Sequence, residues 1–308
     1  MNRWFVIALS AALALAGVLS STQAAAQSKG IWLANLVDGD PDWGKFYRWN
    51  FLANGDYDTE NMYGGAYELA GFPSGTKPIG TYDFNGDGWS DTVFNVPDVF
   101  GPGEGQITIV FNWFNTFTGV VSVLDPLPHG SRGIGVGDFD GDGVGDVLLD
   151  DGAGNLSVFL IRIDFNYWQK GLVNLASSVK SSVNRYAGFA DVDGDGKADV
   201  LVRPKKLQLA FWKSTGTNVV RDSKNRPVQN PLADLISQMG SQGQMTVLGA
   251  MDWNGDGHDD LIMRRWIPTK SRWVIMRAYN DGSGAFPTWL QGELKVAFNK
   301  TPIGIGNF

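Results

Sequence analysis

The sequence predicts an all-β chain, a β-propeller of four-stranded antiparallel blades. Three observations carry that expectation. The first is a repeat: "DFNGDGWSDTVFNV" begins at Asp83, "DFDGDGVGDVLLDD" at Asp138, "DVDGDGKADVLVRP" at Asp191 and "DWNGDGHDDLIMRR" at Asp252, so the copies recur at nearly even intervals. A regular period of this size marks solenoids, propellers or arrays. The second is the choice of acid, 28 Asp against only 4 Glu (Glu60, Glu68, Glu104 and Glu293). Asp competes with the helical backbone for hydrogen bonds and belongs in turns and metal loops. The third is punctuation: 40 Gly break up short runs rich in Val, Ile, Phe and Trp, the pattern of strands joined by tight turns.

The chain opens with "MNRWFVIALSAALALAGVLSSTQAAA", positions 1–26. One Arg precedes an apolar run from Trp4 to Leu19, and small residues follow. This is the pattern of a secretory signal cleaved near Ala26, and the run falls short of the roughly 20 residues a spanning helix needs. The expectation is a secreted or periplasmic protein with no membrane span in the mature chain. The mature part, 27–308, is read as a single β-propeller domain. It has no Cys, which excludes thiol catalysis, cysteine metal sites and disulfide staples. A secreted chain without disulfides needs a large core or another staple.

The elements follow in order. The segment 28–77 holds three strand candidates, "GIWLANLV", "KFYRWNFL" and "AYELAGF", and no Asp loop. Each repeat then reads as strand, Asp loop, strand, turn, strand, turn, strand. In the second repeat these are "RGIGVGDF", "DVLLDD", "LSVFLIRI" and a stretch near "YWQKGLVNL". Phe159, Trp212 and Trp273 stand at one and the same offset from Asp138, Asp191 and Asp252, within strand-like runs, and are expected in the core. "PLADLISQMG", 231–240, is the best short-helix candidate. The chain ends in "IGIGNF", which aligns with "IGVGDF" at 134–139, and Asn307 falls where the first Asp of a fifth loop would stand. The C-terminus thus supplies one strand to the three at the N-terminus. The composite blade brings the count to five and closes the ring, removing free strand edges that invite aggregation.

The loop chemistry is read from the copy that starts at Asp138. Positions 1, 3, 5 and 9 are Asp138, Asp140, Asp142 and Asp146, and Val144 at position 7 can offer its carbonyl. So many oxygen ligands, without His or Cys side chains, suit a hard cation; calcium accepts 6–8 oxygens in loose geometry, where magnesium wants a tight octahedron. Glycines at positions 4 and 6 permit the sharp turn. An EF-hand loop needs a bidentate acid at position 12, where this chain has Phe94, Leu149, Val202 and Met263. The loop is therefore expected to be a hairpin connection in a sheet.

The pattern D-x-[DN]-G-D-G-x-x-D, with a "GDF" lead-in and an apolar strand after it, resembles the FG-GAP/VCBS repeats. These form the calcium-binding blades of integrin α-subunit propellers and of many secreted bacterial proteins. The resemblance runs over about 28–308 at the level of repeats and departs from integrins in blade number, five against seven. It implies about four calcium ions. Carried over by position, their ligands are Asp83, Asn85, Asp87 and Asp91; Asp138, Asp140, Asp142 and Asp146; Asp191, Asp193, Asp195 and Asp199; and Asp252, Asn254, Asp256 and Asp260. Carbonyls would come from Trp89, Val144, Lys197 and His258. The formal charge of −7 becomes −8 once Arg3 leaves with the signal, and four calcium ions balance it. Each ion present at ten times its Kd would stabilise the fold by about 1.4 kcal/mol, so calcium can replace the missing disulfides.

Beyond the metal, little suggests catalysis. The only His residues are His129, in a turn, and His258, inside a metal loop. No nucleophile elbow, zincin or P-loop pattern occurs. The expectation is a non-catalytic binding or adhesion module for a protein or glycan partner, with no nucleic acid for a chain of pI about 4.8. The alternatives are a lectin-type propeller, for which Trp89 and Trp253 on the metal loops are the candidate stacking residues, and a polysaccharide hydrolase or lyase. Basic residues at Arg203, Lys205, Lys206, Lys213, Arg221, Lys224, Arg226, Arg264 and Arg265 are expected on solvated loops and strand edges.

Overall fold

Nineteen antiparallel strands form the described part of the computed structural model, which covers residues 29–35, 45–51, 57–68, 73, 75–101, 104–113, 116–124, 127, 130–153, 155–161, 169–176, 185–203, 210–220, 245–267, 272–282, 286–293 and 300–307. The signal segment and the helix candidate at 231–240 lie outside them. No helix occurs among the described residues, which are all-β, built of antiparallel sheets of three or four strands.

The strands group by repeat, and one of the expected four-stranded sheets shows three strands among the described residues. β4 (Lys77–Tyr82), β5 (Asp91–Gly101), β6 (Glu104–Trp113) and β7 (Thr116–Leu124) make one sheet in chain order. β8 (Arg132–Gly137), β9 (Asp146–Asp150), β10 (Leu156–Ile161) and β11 (Gln169–Ala176) make the next. β12 (Arg185–Ala190), β13 (Asp199–Arg203) and β14 (Ala210–Trp212) follow as three strands. β15 (Met245–Met251), β16 (Asp260–Ile267), β17 (Arg272–Tyr279) and β18 (Thr288–Glu293) make another. The remaining sheet joins the two ends of the chain, with β19 (Lys300–Asn307) beside β1 (Lys29–Asn35), then β2 (Lys45–Phe51) and β3 (Tyr57–Glu68).

One irregularity marks β19 as the equivalent of the other first strands. The register slips between Pro78 and Gly80, Gly133 and Gly135, Tyr186 and Gly188, and Val247 and Gly249. The bulged residues Ile79, Ile134, Ala187 and Leu248 each precede the loop's first Asp by four. In β19 the register slips around Ile303, between Gly304 and Pro302, at the same offset before Asn307. A bulge bends a strand and raises its twist. The five bulged strands also meet one another: β4 contacts β8, β8 contacts β12, β12 contacts β15, and β19 contacts both β15 and β4. Glycine permits the approach. A Cβ on Gly137 would come within 2.6 Å of the Phe189 Cβ, and one on Gly80 within 2.7 Å of Val136 Cγ2.

The core lies between sheets, so second strands bury both faces. Val147 and Leu149 of β9 pack with Val93, Ile107 and Ile109 of the preceding sheet. Leu148 between them packs with Val200, Val202 and Trp212 of the following one. Leu201 of β13 likewise reaches Leu261, Met263 and Met276. This accounts for the unbroken apolar runs after each Asp loop, since alternation with polar residues is kept where one face meets water. Phe159 and Trp212 are core residues as expected, at 3% and 0% exposure. The Trp273 side chain lies outside the described residues.

Candidate metal-binding loops

Each of the four Asp loops joins the first strand of its sheet to the second, and each is tied by the same bonds. The position 1 carboxylate gathers the amides that follow it. Asp138 Oδ1 accepts from Gly141 and Asp142, at 2.7 and 3.1 Å, and its Oδ2 from Gly143 at 2.8 Å. Asp83, Asp191 and Asp252 accept from the corresponding glycines. Those glycines at positions 4 and 6 have φ of 72–89° throughout, a conformation that favours residues without a Cβ. The position 5 carboxylate accepts from the amide of position 7, at 2.8–3.0 Å from Trp89, Val144, Lys197 and His258.

Position 9 opens the second strand and anchors the loop to the third. Asp91, Asp146, Asp199 and Asp260 are fully buried. Their Oδ2 atoms accept the position 2 amide, from Phe84, Phe139, Val192 and Trp253 at 2.9–3.1 Å. Oδ1 reaches the amide at the end of the third strand: Ile161 for Asp146, Ser214 for Asp199 and Asn280 for Asp260. Sequence reasoning assigned position 9 only a metal; the geometry gives it a brace as well. Position 12 is buried in all four copies, at 2% exposure or less for Phe94, Leu149, Val202 and Met263.

Burial decides the electrostatics. It pushes the Asp146 and Asp199 carboxyls up to about 8, against the pull of their amide donors. It also raises Asp87, Asp138, Asp191 and Asp260. Asp256 is lowered instead, chiefly by the Asn254 amide, which donates to it at 2.8 Å. Packed carboxylates with raised pKa values favour whatever positive charge comes near. Among the described residues, two sets of acids gather oxygen atoms within 4.8 Å of one another: Asp138, Asp140 and Asp146, and Asp191, Asp193 and Asp195. A calcium ion bound at about 2.3–2.6 Å requires ligands no farther apart than about 5 Å, and both sets meet that limit. In the loops from Asp83 and Asp252 the position 3 residue is Asn, whose amide donates to position 5, Asn85 to Asp87 at 2.9 Å and Asn254 to Asp256.

The loops also bind each other. Ala198 N donates to the Asp138 carbonyl at 2.6 Å, and Asp191 N to Asp259 Oδ2 at 3.3 Å. Ser214 Oγ donates to the Phe139 carbonyl, and Asn280 Nδ2 to that of Val192, each a step back to the preceding repeat. The His258 ring packs against Gly194 and Gly282, where an added Cβ would lie 2.7 and 2.5 Å from its nitrogens. Sequence reasoning assigned that ring no part. Asp259 carries no sequence signal either; burial, reinforced by Asp191, Asp252 and Asp260, pushes it up to about 7. It lines a cavity of about 270 Å³ between the first strands, together with Tyr82, Asp138 and Asp191.

The two candidate stacking residues take different places. Trp89 is half-buried on its loop. Trp253 holds the position that Phe84, Phe139 and Val192 fill with core side chains, and its ring lies 5.5 Å from the guanidinium of Arg277, which is 6% exposed. Two members of the basic set make contacts beyond solvent. Burial pulls Arg264 down to about 10, and Lys213 meets the loop that starts at Asp191. The side chains of Arg203 and Arg265, and all of Lys205, Lys206, Arg221, Lys224 and Arg226, lie outside the described residues.

No curated protein matches the chain. Among solved structures it is similar to the soluble aldose sugar dehydrogenase of Escherichia coli in its apo form, at 12% identity and a TM-score of 0.34, over 87% of this chain and 86% of that one. The model of the FG-GAP-like repeat matches residues 83–149, from the first Asp of one loop to the strand that leaves the next.

Proposed function

We propose that the chain is a secreted or periplasmic five-bladed β-propeller, stapled by calcium, which binds a protein or glycan partner and catalyses nothing. The observation that carries this reading is the fivefold recurrence of the bulged first strand, each meeting the next, with β19 completing the series beside β1. That arrangement supports a ring whose composite blade is made from both ends of the chain. Bonds join the second Asp loop to the third, Ala198 N to the Asp138 carbonyl, and the third to the fourth, Asp191 N to Asp259 Oδ2.

Calcium would be held at the second loop by Asp138, Asp140, Asp142, Asp146 and the Val144 carbonyl. At the first loop it would be held by Asp83, Asn85, Asp87, Asp91 and the Trp89 carbonyl, and at the fourth by Asp252, Asn254, Asp256, Asp260 and the His258 carbonyl. Its charge would offset carboxylates that burial otherwise drives toward the protonated form. The acids are occupied in bracing loops, which favours a binding role over acid–base catalysis. A thermal melt in EGTA, then with calcium restored, tests the staple: the midpoint should fall by several degrees and recover, and no response to chelation refutes it. A glycan array and a pull-down test the partner. Glycan retention that is lost in Trp89→Ala would make the partner a sugar. Capture of a protein that free sugar does not displace would make it a protein. Turnover of any polysaccharide refutes the non-catalytic reading.

A further inference from the structure

The third loop carries its own cation. Lys213 follows directly on β14, and its Nζ donates to Asp193 Oδ2 and lies 3.1 Å from Asp195 Oδ2. Those carboxylates are positions 3 and 5 of the loop that starts at Asp191, two of the side chains a divalent ion would need. Lys197 Nζ adds a weaker approach, 3.8 Å from Asp195 Oδ2. We propose that the Lys213 ammonium supplies the third loop's counter-charge in place of a divalent ion, which the other three loops still take; the count of three rests on the calcium reading above.

The three repeats whose third-strand brace is described differ in the residue they set before it. The third-strand amide that braces position 9 belongs to Ile161, Ser214 and Asn280 in successive repeats. The residue just before it is therefore Leu160, Lys213 or Tyr279. Of these three repeats, only the one with Lys213 places a cation there. The second loop has the same full set of acids, Asp138, Asp140, Asp142 and Asp146, and the residue equivalent to Lys213 is the apolar Leu160. A tethered ammonium reaches its carboxylates without a bimolecular step, so it competes at a high local concentration with any ion from solution. A divalent ion entering the third loop would have to displace Nζ from two ligands and then sit beside a like charge. One consequence is that this loop keeps its counter-charge when calcium is scarce.

Calcium titration calorimetry on the full chain and on Lys213→Met, with melting of both in EGTA, tests the proposal. The wild type should bind three ions and the variant four, and Lys197→Met should stay at three. In EGTA the variant should melt several degrees below the wild type, and saturating calcium should close that gap. Lys213→Arg, which keeps the charge, should behave as wild type and guards against a general folding defect. Four ions in the wild type, or no gain in Lys213→Met, overturns the assignment. If the wild type binds no calcium, the calcium reading fails separately. The role of Lys213 is then decided by the melt in EGTA, where a lower midpoint in Lys213→Met supports it and an equal one overturns it.

Discussion

Replacing Asp259 by Asn should make the metal-free protein more stable at pH 8 and leave it nearly unchanged in acid. Asp259 is the position 8 residue of the fourth loop, and its Oδ2 accepts the Asp191 amide at 3.3 Å. Burial, with Asp191, Asp252 and Asp260 nearby, pushes its carboxyl from 3.8 up to about 7. In the unfolded chain it titrates near 3.9. Below that pH both states hold the proton and the folded state loses nothing. As pH rises the unfolded chain ionises first, so stability falls progressively from about pH 4 to pH 7. Above pH 7 the full difference applies. At about 1.4 kcal/mol per pH unit it is on the order of 4 kcal/mol, and about 2–4 kcal/mol after local relaxation. Asn keeps an oxygen for the Asp191 amide and cannot ionise. Urea unfolding in EGTA should therefore show Asp259→Asn ahead by about 2–4 kcal/mol at pH 8 and by about 1 kcal/mol or less at pH 4.5. Added calcium should narrow the gap, because cations bound nearby would favour the ionised carboxylate. A variant no more stable than wild type at pH 8, or one with the same gain at both pH values, would refute the reasoning.

Ser214→Ala removes a buried hydroxyl that donates to the Phe139 carbonyl at 2.7 Å and accepts the Gly216 amide at 3.0 Å. It should cost about 2–4 kcal/mol in urea unfolding, with or without calcium, since two buried backbone groups lose their partner. Gly137→Ala forces a Cβ to within 2.6 Å of the Phe189 Cβ where β8 meets β12, and should cost about 1–3 kcal/mol by thermal melt. A change below about 0.5 kcal/mol, that of an ordinary surface substitution, would count against either contact.

Much of the fold was legible because its signals are local. Glycines at positions 4 and 6 announce a turn that needs positive φ, and Gly141 and Gly143 adopt it, at 78° and 85°. The apolar run of Val147, Leu148 and Leu149 announces a strand buried on both faces, and those residues divide between two cores. The alignment of "IGIGNF" with the earlier first strands is enough to place β19 beside β1. The second brace of position 9 was not legible. Its donor, Ile161, Ser214 or Asn280, lies well down the chain from its acceptor, at a distance set by turns of unequal length. Lys213 reads as one basic residue among several for the same reason. It stands far along the chain from Asp193, and nothing in composition tells a solvated lysine from one held against a carboxylate.

By itself, the sequence determined what repeats: the loop, the strands on either side of it, and the strand contributed by the C-terminus. It could do so because turn chemistry and side-chain alternation act over a few residues, and the chain states them four times. Only the tertiary structure decided what faces each loop. The amide that completes position 9, the His258 ring against Gly194, the Asp259 carboxyl beside the Asp191 amide and the Lys213 ammonium on the third loop all come from elsewhere in the chain. Charge and burial depend on those neighbours, so loops that read alike as sequence differ in the groups that face them.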